Sequence, residues 1–138
     1  VASQAASFML PFAKIGLIPD TACSWLVPQR LGQARALGLA MTGNKLPAAK
    51  AAEWGLIWDA VAEDVFADAV QQLAEQLATM PTKALVRTRQ AMQAGRSNTL
   101  EQQLTLEGLY MRELGRSSDY VEGVSAFLEK RPPRFTGA

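Results

Sequence analysis

The chain has 138 residues, of which 49% are hydrophobic and 20% charged, and its formal net charge is +1. This length is enough for one domain with a core of its own. The near-neutral charge argues against a surface that binds nucleic acid or a membrane, and no apolar run approaches the roughly 20 residues of a membrane-spanning helix.

The first part of the chain is predicted to form short extended segments and then a helix. Residues 1–19 are apolar and interrupted by Pro11 and Pro19, which predicts one or two short strands and a turn. Asp20 follows Pro19 and is predicted to be the N-cap of a helix. Pro28 is expected to bend or end that helix. Its predicted buried residues are Cys23, Trp25 and Leu26.

The rest of the chain is predicted to be mostly helical. A helix over residues 33–41, with an apolar face of Ala34, Leu37, Ala40 and Met41, is expected to stop at Gly43. A short helix from Pro47 precedes an extended segment at 56–61, and amphipathic helices follow over 64–80 and 82–94. A capping box formed by Asn98 and Glu101 is predicted to start a helix that runs to Leu114. The last helix is expected to start at Ser118 or Asp119 and to end near Lys130, before an extended tail at Pro132-Pro133.

The residue types limit the chemistry that this chain can carry. It contains no histidine, which excludes histidine-dependent nucleophiles and histidine-ligated metals within the chain, and no metal site is expected. The lone cysteine, Cys23, cannot form an internal disulfide, which favours a cytoplasmic location. Without a histidine partner, Cys23 is interpreted as a packing residue. From the residues alone, the carboxylate of Asp20 is explained by its predicted capping role.

Two runs together resemble a known family. They are Lys14-Ile15-Gly16-Leu17-Ile18-Pro19-Asp20 and the closing Gly123-Val124-Ser125-Ala126-Phe127-Leu128-Glu129-Lys130-Arg131. They resemble the C-terminal half of the crotonase (enoyl-CoA hydratase/isomerase) superfamily. The resemblance implies a C-terminal fragment of the α/β crotonase-like spiral fold, mostly helical here. Residues 1–62 would end the spiral core, and residues 63–138 would be the helical oligomerisation region.

The same resemblance implies an enzyme that acts on acyl-CoA thioesters. Asp20 after Ile18-Pro19 is most similar to the ring-1,2-epoxyphenylacetyl-CoA isomerase branch, in which it would transfer a proton through a thioester enolate. A carboxylate in water is a weak base, so Asp20 would need apolar neighbours to desolvate it. Hydratases of this family need a glutamate where this chain has Phe12, which favours an isomerase. An enoyl-CoA hydratase and a non-catalytic helical assembly module remain the alternatives.

A departure from the family pattern follows Asp20. Relatives often have paired glycines there, whereas this chain has Thr21-Ala22-Cys23-Ser24, which puts a phenylacetyl substrate in doubt. The family's oxyanion hole would lie before Val1, so the chain alone is expected to be inactive. Val1 is not a methionine and no basic stretch precedes an apolar one, so a truncated protein without a signal peptide is expected.

The C-terminal run implies a substrate contact and an assembly. Phe127 would stack on the adenine of coenzyme A and Lys130 would face its 3′-phosphate, although Lys130 could instead complement the helix dipole. Coenzyme A enters as part of the thioester, and no separate cofactor is implied. The helices between Asp64 and Lys130 resemble the family's trimerisation region, which implies a homotrimer or homohexamer. The wide apolar arc of the helix near Leu109 needs partners on more than one side, with a core inside one subunit as the alternative. Phenylacetate catabolism and fatty acid metabolism are the processes that the resemblance implies.

Overall fold

A computed structural model describes all residues from 1 to 138. Seven helices account for most of the chain: α1 Cys23–Leu31, α2 Gln33–Thr42, α3 Ala48–Glu53, α4 Phe66–Ala78, α5 Thr82–Ala94, α6 Leu100–Leu114 and α7 Ser118–Glu129. Four short strands are β1 Ala2–Ser3, β2 Ser7–Phe8, β3 Leu46–Pro47 and β4 Ala60–Val61. Two 3₁₀ turns lie at Pro11–Ile15 and Glu63–Val65. None of the helices combines the length and hydropathy that crossing a bilayer requires.

The chain divides into two compact units, Val1–Gln72 and Leu73–Ala138. In the first unit the strands form two small sheets that bring distant parts of the chain together. Strand β1 pairs with β4 in parallel, and β2 pairs with β3 in antiparallel orientation. The predicted strands within residues 1–19 are therefore confirmed, although the segment Pro11–Ile15 is a 3₁₀ turn. Pro11 suits the first position of such a turn, because its missing N–H needs no partner there.

The core of the first unit lies where helices α1, α2 and α3 meet the sheets. Leu31, Leu39, Leu46 and Ala51 are buried there. The buried face of α2 contains Ala36 and Leu39, so the face predicted from sequence (Ala34, Leu37, Ala40 and Met41) is wrong. Apolar residues occur on both sides of α2, and packing against α1 selects the side that is buried.

Gly43 ends α2 as predicted, and its surroundings explain why a glycine is needed. Its φ of 57° lies in the left-handed region, which glycine adopts without a steric cost. A Cβ atom at this position would lie 2.9 Å from Cε of Lys14. The stem of Lys14 therefore packs directly against the Gly43 backbone.

Helix α1 differs from its prediction at both ends. It begins at Cys23 with Ala22 as the N-cap, and it continues through Pro28 to Leu31. The prediction that Pro28 could end the helix is wrong, because the carbonyl of Pro28 still accepts a hydrogen bond from Gly32 N at 2.8 Å. Trp25 is 59% exposed and Leu26 38% exposed, so their predicted burial is wrong within this chain.

Helices α5 and α6 of the second unit are joined by polar contacts. Arg87 donates to the Glu113 carboxylate at 2.8 Å, and its guanidinium lies 4.8 Å from the centroid of the Tyr110 ring. The predicted capping box is present but one residue later than expected. Thr99 and Gln102 form it instead of Asn98 and Glu101. The Asn98 amide is used elsewhere, since it donates to Gln103 at 3.0 Å.

The C-terminal tail of the second unit folds back on α7. Ser117 caps this helix by accepting a hydrogen bond from Tyr120 N at 3.1 Å, so the predicted caps Ser118 and Asp119 are wrong. Asp119 is instead the one buried charged residue, with 5% exposure. Its carboxylate accepts hydrogen bonds from Thr136 N at 2.7 Å, Thr136 Oγ1 at 3.2 Å and Gly137 N at 2.8 Å. These bonds attach the tail to the start of α7.

Replacement of Asp119 is expected to detach the tail. Asp119→Ala removes the acceptor of three hydrogen bonds, which should lower the free energy of unfolding by about 1–3 kcal/mol. Urea unfolding measures that loss, and hydrogen exchange should show the Thr136 and Gly137 amides losing protection. The exposed Glu107 on α6 provides the control Glu107→Ala, which should change neither quantity. Unchanged protection of the two amides in Asp119→Ala would contradict the assignment.

Candidate functional site

Asp20 lies in the connection between the first 3₁₀ turn and α1. Its side chain is exposed, and its carbonyl accepts a hydrogen bond from Cys23 N at 2.8 Å. The N-cap of α1 is Ala22, which offers no side-chain cap. The prediction that the Asp20 carboxylate caps the helix is therefore wrong, and the carboxylate is not engaged in helix capping.

The two residues after Asp20 adopt a backbone conformation that is unusual for their type. Thr21 has a φ of 48° and Ala22 a φ of 65°, both in the left-handed region. This region is uncommon for any residue with a Cβ atom and least favourable for a β-branched one such as threonine. Each such residue costs on the order of 1–3 kcal/mol and persists only where its surroundings impose it. The departure from paired glycines noted in the sequence thus coincides with strained backbone.

The Asp20 carboxylate makes one hydrogen bond within this chain. The Thr21 hydroxyl donates to Asp20 Oδ1 at 3.4 Å, and the same hydroxyl lies 3.8 Å from Cys23 Sγ. The desolvation expected for Asp20 is not provided by this chain, since Asp20, Leu17 and Ile18 are all exposed. The carboxylate therefore stands on an apolar surface that nothing in this chain covers.

An apolar groove of about 440 Å³ lies beside this segment in the first unit. Cys23 is half-buried in its wall, and its Sγ lies 3.8 Å from Thr21 Oγ1. This placement fits the packing role predicted for Cys23. Other apolar residues that line the groove are Leu10, Leu17, Ile18, Val27, Leu37 and Met41.

Phe12, which the family resemblance aligns with the glutamate of hydratases, belongs to the 3₁₀ turn Pro11–Ile15. Its side chain is half-buried, and its carbonyl accepts a hydrogen bond from Leu17 N at 3.0 Å. A phenyl ring can neither donate nor accept a proton. Phe12 can therefore shape this part of the unit but cannot activate water.

Phe127 and Lys130 lie within one turn of each other at the end of α7, in the second unit. Phe127 is 82% exposed. Lys130 has a φ of 55° and terminates the helix, with Lys130 N bonded to the Phe127 carbonyl at 3.3 Å and Arg131 N to the Ala126 carbonyl at 3.0 Å. This is a Schellman ending, in which glycine is the usual residue at the left-handed position. Asp20 belongs to the first unit, whereas Phe127 and Lys130 lie close together within the second.

Phe127 also borders an open groove of about 630 Å³ within the second unit. The groove has a predominantly apolar lining that includes Leu114, Tyr120, Val124, Leu128 and Phe135. Gly123 also lines the groove, and a Cβ atom at this position would stand 3.5 Å from the Phe135 ring.

The segment after Lys130 is held by a pair of charges that the sequence did not reveal. Arg131 donates to both carboxylate oxygens of Glu122, at 2.6 and 2.9 Å, and Arg134 N donates to the same group at 2.7 Å. The Arg131 bonds, followed by the bond from Arg134 N, lower the pKa of Glu122 to about 2. The pKa of Arg131 is raised by the same pair. Arg131 directly follows Lys130, so this pair fixes the end of α7.

A second arginine–glutamate pair in this unit shifts the pKa values of its two members in the same directions. The hydrogen bond from Arg87 lowers the pKa of Glu113, and Glu113 in turn raises the pKa of Arg87.

No group of three or more His, Cys, Asp or Glu side chains lies close enough together to hold a metal ion. Sequence reasoning missed both arginine–glutamate pairs, because their spacings of 9 and 26 residues correspond to no local helix pattern.

Comparison with known proteins identifies what this arrangement is similar to. A family model for enoyl-CoA hydratase/isomerase matches residues 1–138. The 1,2-epoxyphenylacetyl-CoA isomerase of Escherichia coli (strain K12) is 53% identical over 99% of this chain and 52% of that protein. A Rhodobacter capsulatus protein named "Probable enoyl-CoA hydratase" is 47% identical over 99% of this chain and 53% of that protein. The crystal structure of enoyl-CoA hydratase from Bacillus anthracis matches with a TM-score of 0.92 at 28% identity, over 99% of this chain and 53% of that one.

These matches confirm the crotonase resemblance and the predicted crotonase-like fold. The chain spans about half the length of the curated relatives that it matches. The matches include both an isomerase and a hydratase by name, so family membership alone does not decide between the two reactions.

The Glu122–Arg131 pair predicts a pH dependence of stability. The folded-state pKa of Glu122 is depressed, so its contribution is fully present above its ordinary value of 4.5 and is lost as the pH falls towards about 2. The difference in unfolding free energy between this chain and Glu122→Gln should therefore shrink across that window. Urea unfolding from pH 6 to pH 2 measures it, with Glu107→Gln as the control for loss of a carboxylate. A difference that stays constant down to pH 2 would show that ionisation of Glu122 adds no stability.

Proposed function

The chain belongs to the enoyl-CoA hydratase/isomerase family, and on that premise we propose that it is part of an acyl-CoA isomerase. Its substrate would be an enoyl-CoA or a phenylacetyl-CoA epoxide, converted through a thioester enolate with Asp20 as the proton-transfer residue. The observation that carries the proposal is the state of Asp20. Its carboxylate is exposed, it caps no helix, and strained backbone follows it.

The proposed reaction needs a single proton-transfer group. The Asp20 carboxylate would take a proton from a carbon conjugated with the thioester, and the C–H electron pair would move into the thioester to give an enolate. Return of the proton to a different carbon would then shift the double bond. A positioned base of this kind accelerates proton transfer by roughly 10²–10⁴.

Phe12 supports isomerisation over hydration. Addition of water needs two acid–base groups around one water molecule, and the phenyl ring of Phe12 cannot serve as one of them. The 53% identity to the 1,2-epoxyphenylacetyl-CoA isomerase of Escherichia coli points the same way. The 47% identity to the Rhodobacter capsulatus protein named a hydratase keeps hydration as the second candidate.

The catalytic unit that we propose is larger than this chain. In the family, two backbone N–H groups stabilise the enolate oxygen, and such preorganised donors are a large part of catalysis. The half of the relatives' length that this chain does not span would supply them. The 138-residue chain alone should therefore be inactive, and its activity is a control for the experiments below.

The coenzyme A end of the substrate is proposed to reach α7. The exposed Phe127 ring could stack on adenine, and Lys130, fixed in a left-handed position at the end of the helix, could contact a phosphate as a point charge. The helix-dipole role of Lys130 is the competing explanation. Lys130→Gly separates the two, because glycine suits the left-handed position but carries no charge.

We also propose that the complete protein assembles into a homotrimer or homohexamer. Along α6, Leu100 is 76% exposed, Leu104 57%, Leu109 51% and Met111 69%. The helix has no buried residue within this chain, which weighs against a core inside one unit as the explanation of its apolar arc. Apolar surface of this extent is normally covered by a partner.

The reaction type can be tested with the full-length protein in D₂O. An isomerase should incorporate deuterium at substrate carbons and shift the double bond of an enoyl-CoA, with little 3-hydroxyacyl-CoA, because Phe12 cannot activate water. Mass spectrometry and NMR of the product measure both outcomes. The chain of residues 1–138 is the inactive control. Strong hydration without double-bond migration would establish the hydratase alternative.

Replacement of Asp20 tests its role directly. In the full-length protein, Asp20→Asn keeps the size of the side chain but removes the proton acceptor, so kcat should fall on the order of 10²-fold or more. KM and the circular dichroism spectrum should change little. Asp68→Asn, an exposed aspartate of α4, is the matched control and should keep full kcat. Normal turnover by Asp20→Asn would leave the residue without a catalytic role.

Replacement of Leu109 tests the assembly. A charge at this exposed apolar position of α6 cannot be buried in an interface without a large cost, so Leu109→Glu should yield monomer or aggregate in sedimentation experiments. Thr105→Glu introduces the same charge at an exposed polar position of the same helix and should leave the oligomer intact. A full-length protein that is monomeric at micromolar concentration would contradict the proposed assembly.

A further inference from the structure

We propose that Thr21 is a positioning residue for Asp20, an inference that rests on the proposed function. Its hydroxyl makes the one hydrogen bond that the Asp20 carboxylate has within this chain, with 3.4 Å between Thr21 Oγ1 and Asp20 Oδ1. An exposed carboxylate on a connecting segment has several accessible rotamers. A donor at a fixed position favours one of them, so that the carboxylate oxygen is held in one direction.

The contact depends on the left-handed backbone. Successive side chains point to opposite faces of a strand, and adjacent positions on a helix do not face each other, so neighbouring residues rarely share a hydrogen bond in regular structure. Thr21 has a φ of 48°, and its hydroxyl lies 3.4 Å from the carboxylate of the adjacent Asp20. The strained conformation therefore has a definite consequence, which is to place a hydroxyl beside the carboxylate.

Two backbone hydrogen bonds hold this conformation in place. Cys23 N donates to the Asp20 carbonyl at 2.8 Å, and Leu26 N donates to the Ala22 carbonyl at 2.8 Å. The first closes a turn around Thr21, and the second joins that turn to helix α1. The turn that carries the hydroxyl is thus closed by a hydrogen bond and joined directly to a helix, and such a segment positions a reactive group more accurately than a free loop does.

Cys23 completes the arrangement. Its Sγ lies 3.8 Å from Thr21 Oγ1, and either atom can be the donor. When the Thr21 hydroxyl donates to Asp20, its oxygen is free to accept from the Cys23 thiol. The thiol would then favour the orientation of the hydroxyl that points at the carboxylate.

Three substitutions in the full-length protein separate the hydroxyl from the backbone strain. Thr21→Val keeps the β-branched shape and the strain but has no donor, and Thr21→Ser keeps the donor with less strain. Thr21→Gly removes both. We expect kcat to follow the hydroxyl: unchanged within about twofold for Ser, and about tenfold lower for Val and Gly, with KM unchanged in all three. The melting temperature should instead follow the strain, with Gly and Ser at or above the parent.

Asp20→Asn, measured alongside, distinguishes failure of this inference from failure of the proposed function. If Asp20→Asn is impaired and Thr21→Val turns over within twofold of the parent, Thr21 does not position the carboxylate. The same conclusion holds if Thr21→Ser is as impaired as Thr21→Val while both melt like the parent. If Asp20→Asn has normal turnover, Asp20 is not the proton-transfer residue, and both proposals are wrong.

Discussion

The left-handed pair Thr21-Ala22 is the constraint on which the candidate site depends. By placing the N-cap of α1 at Ala22 rather than at Asp20, it leaves the Asp20 carboxylate without a capping role. An aspartate used as a cap would have its oxygens bound to backbone N–H groups and would be a poor proton acceptor. The position of the helix start, two residues later than its sequence signal, therefore decides what Asp20 can do.

The second constraint is the small amount of apolar surface that this chain buries by itself. Helices α4, α5 and α6 contain no buried residue, and Ile18, Leu100 and Phe127 are each more than three-quarters exposed. The second unit relies instead on charge-assisted hydrogen bonds, those of Glu113, Glu122 and Asp119. Exposed apolar surface of this extent is typical of a chain that packs against another polypeptide segment or subunit. It fits the finding that the chain matches only about half of each relative's length.

Much of the fold could be predicted from the sequence, because helix stops and capping signals are local. Gly43, Gly115 and the residues near Thr99 mark helix ends within a residue or two of their predicted places. The buried face of α2 could not be predicted, because it has apolar residues on both sides and tertiary packing chooses between them. Likewise, the left-handed conformation at Thr21 contradicts the preference of a β-branched residue and follows only from its surroundings.

The three non-glycine residues with positive φ are Thr21, Ala22 and Lys130. Two directly follow the proposed proton-transfer residue, and the third is the proposed phosphate contact. A left-handed conformation at a residue other than glycine lowers the stability of the folded protein and persists only where the surrounding structure imposes it. Such residues cluster in binding and catalytic segments. The family resemblance pointed to Asp20 and Lys130 from sequence motifs alone, without reference to dihedral angles. The left-handed backbone lies at Lys130 itself and at the two residues that follow Asp20, so the tests proposed for these two segments address backbone conformation and chemistry together.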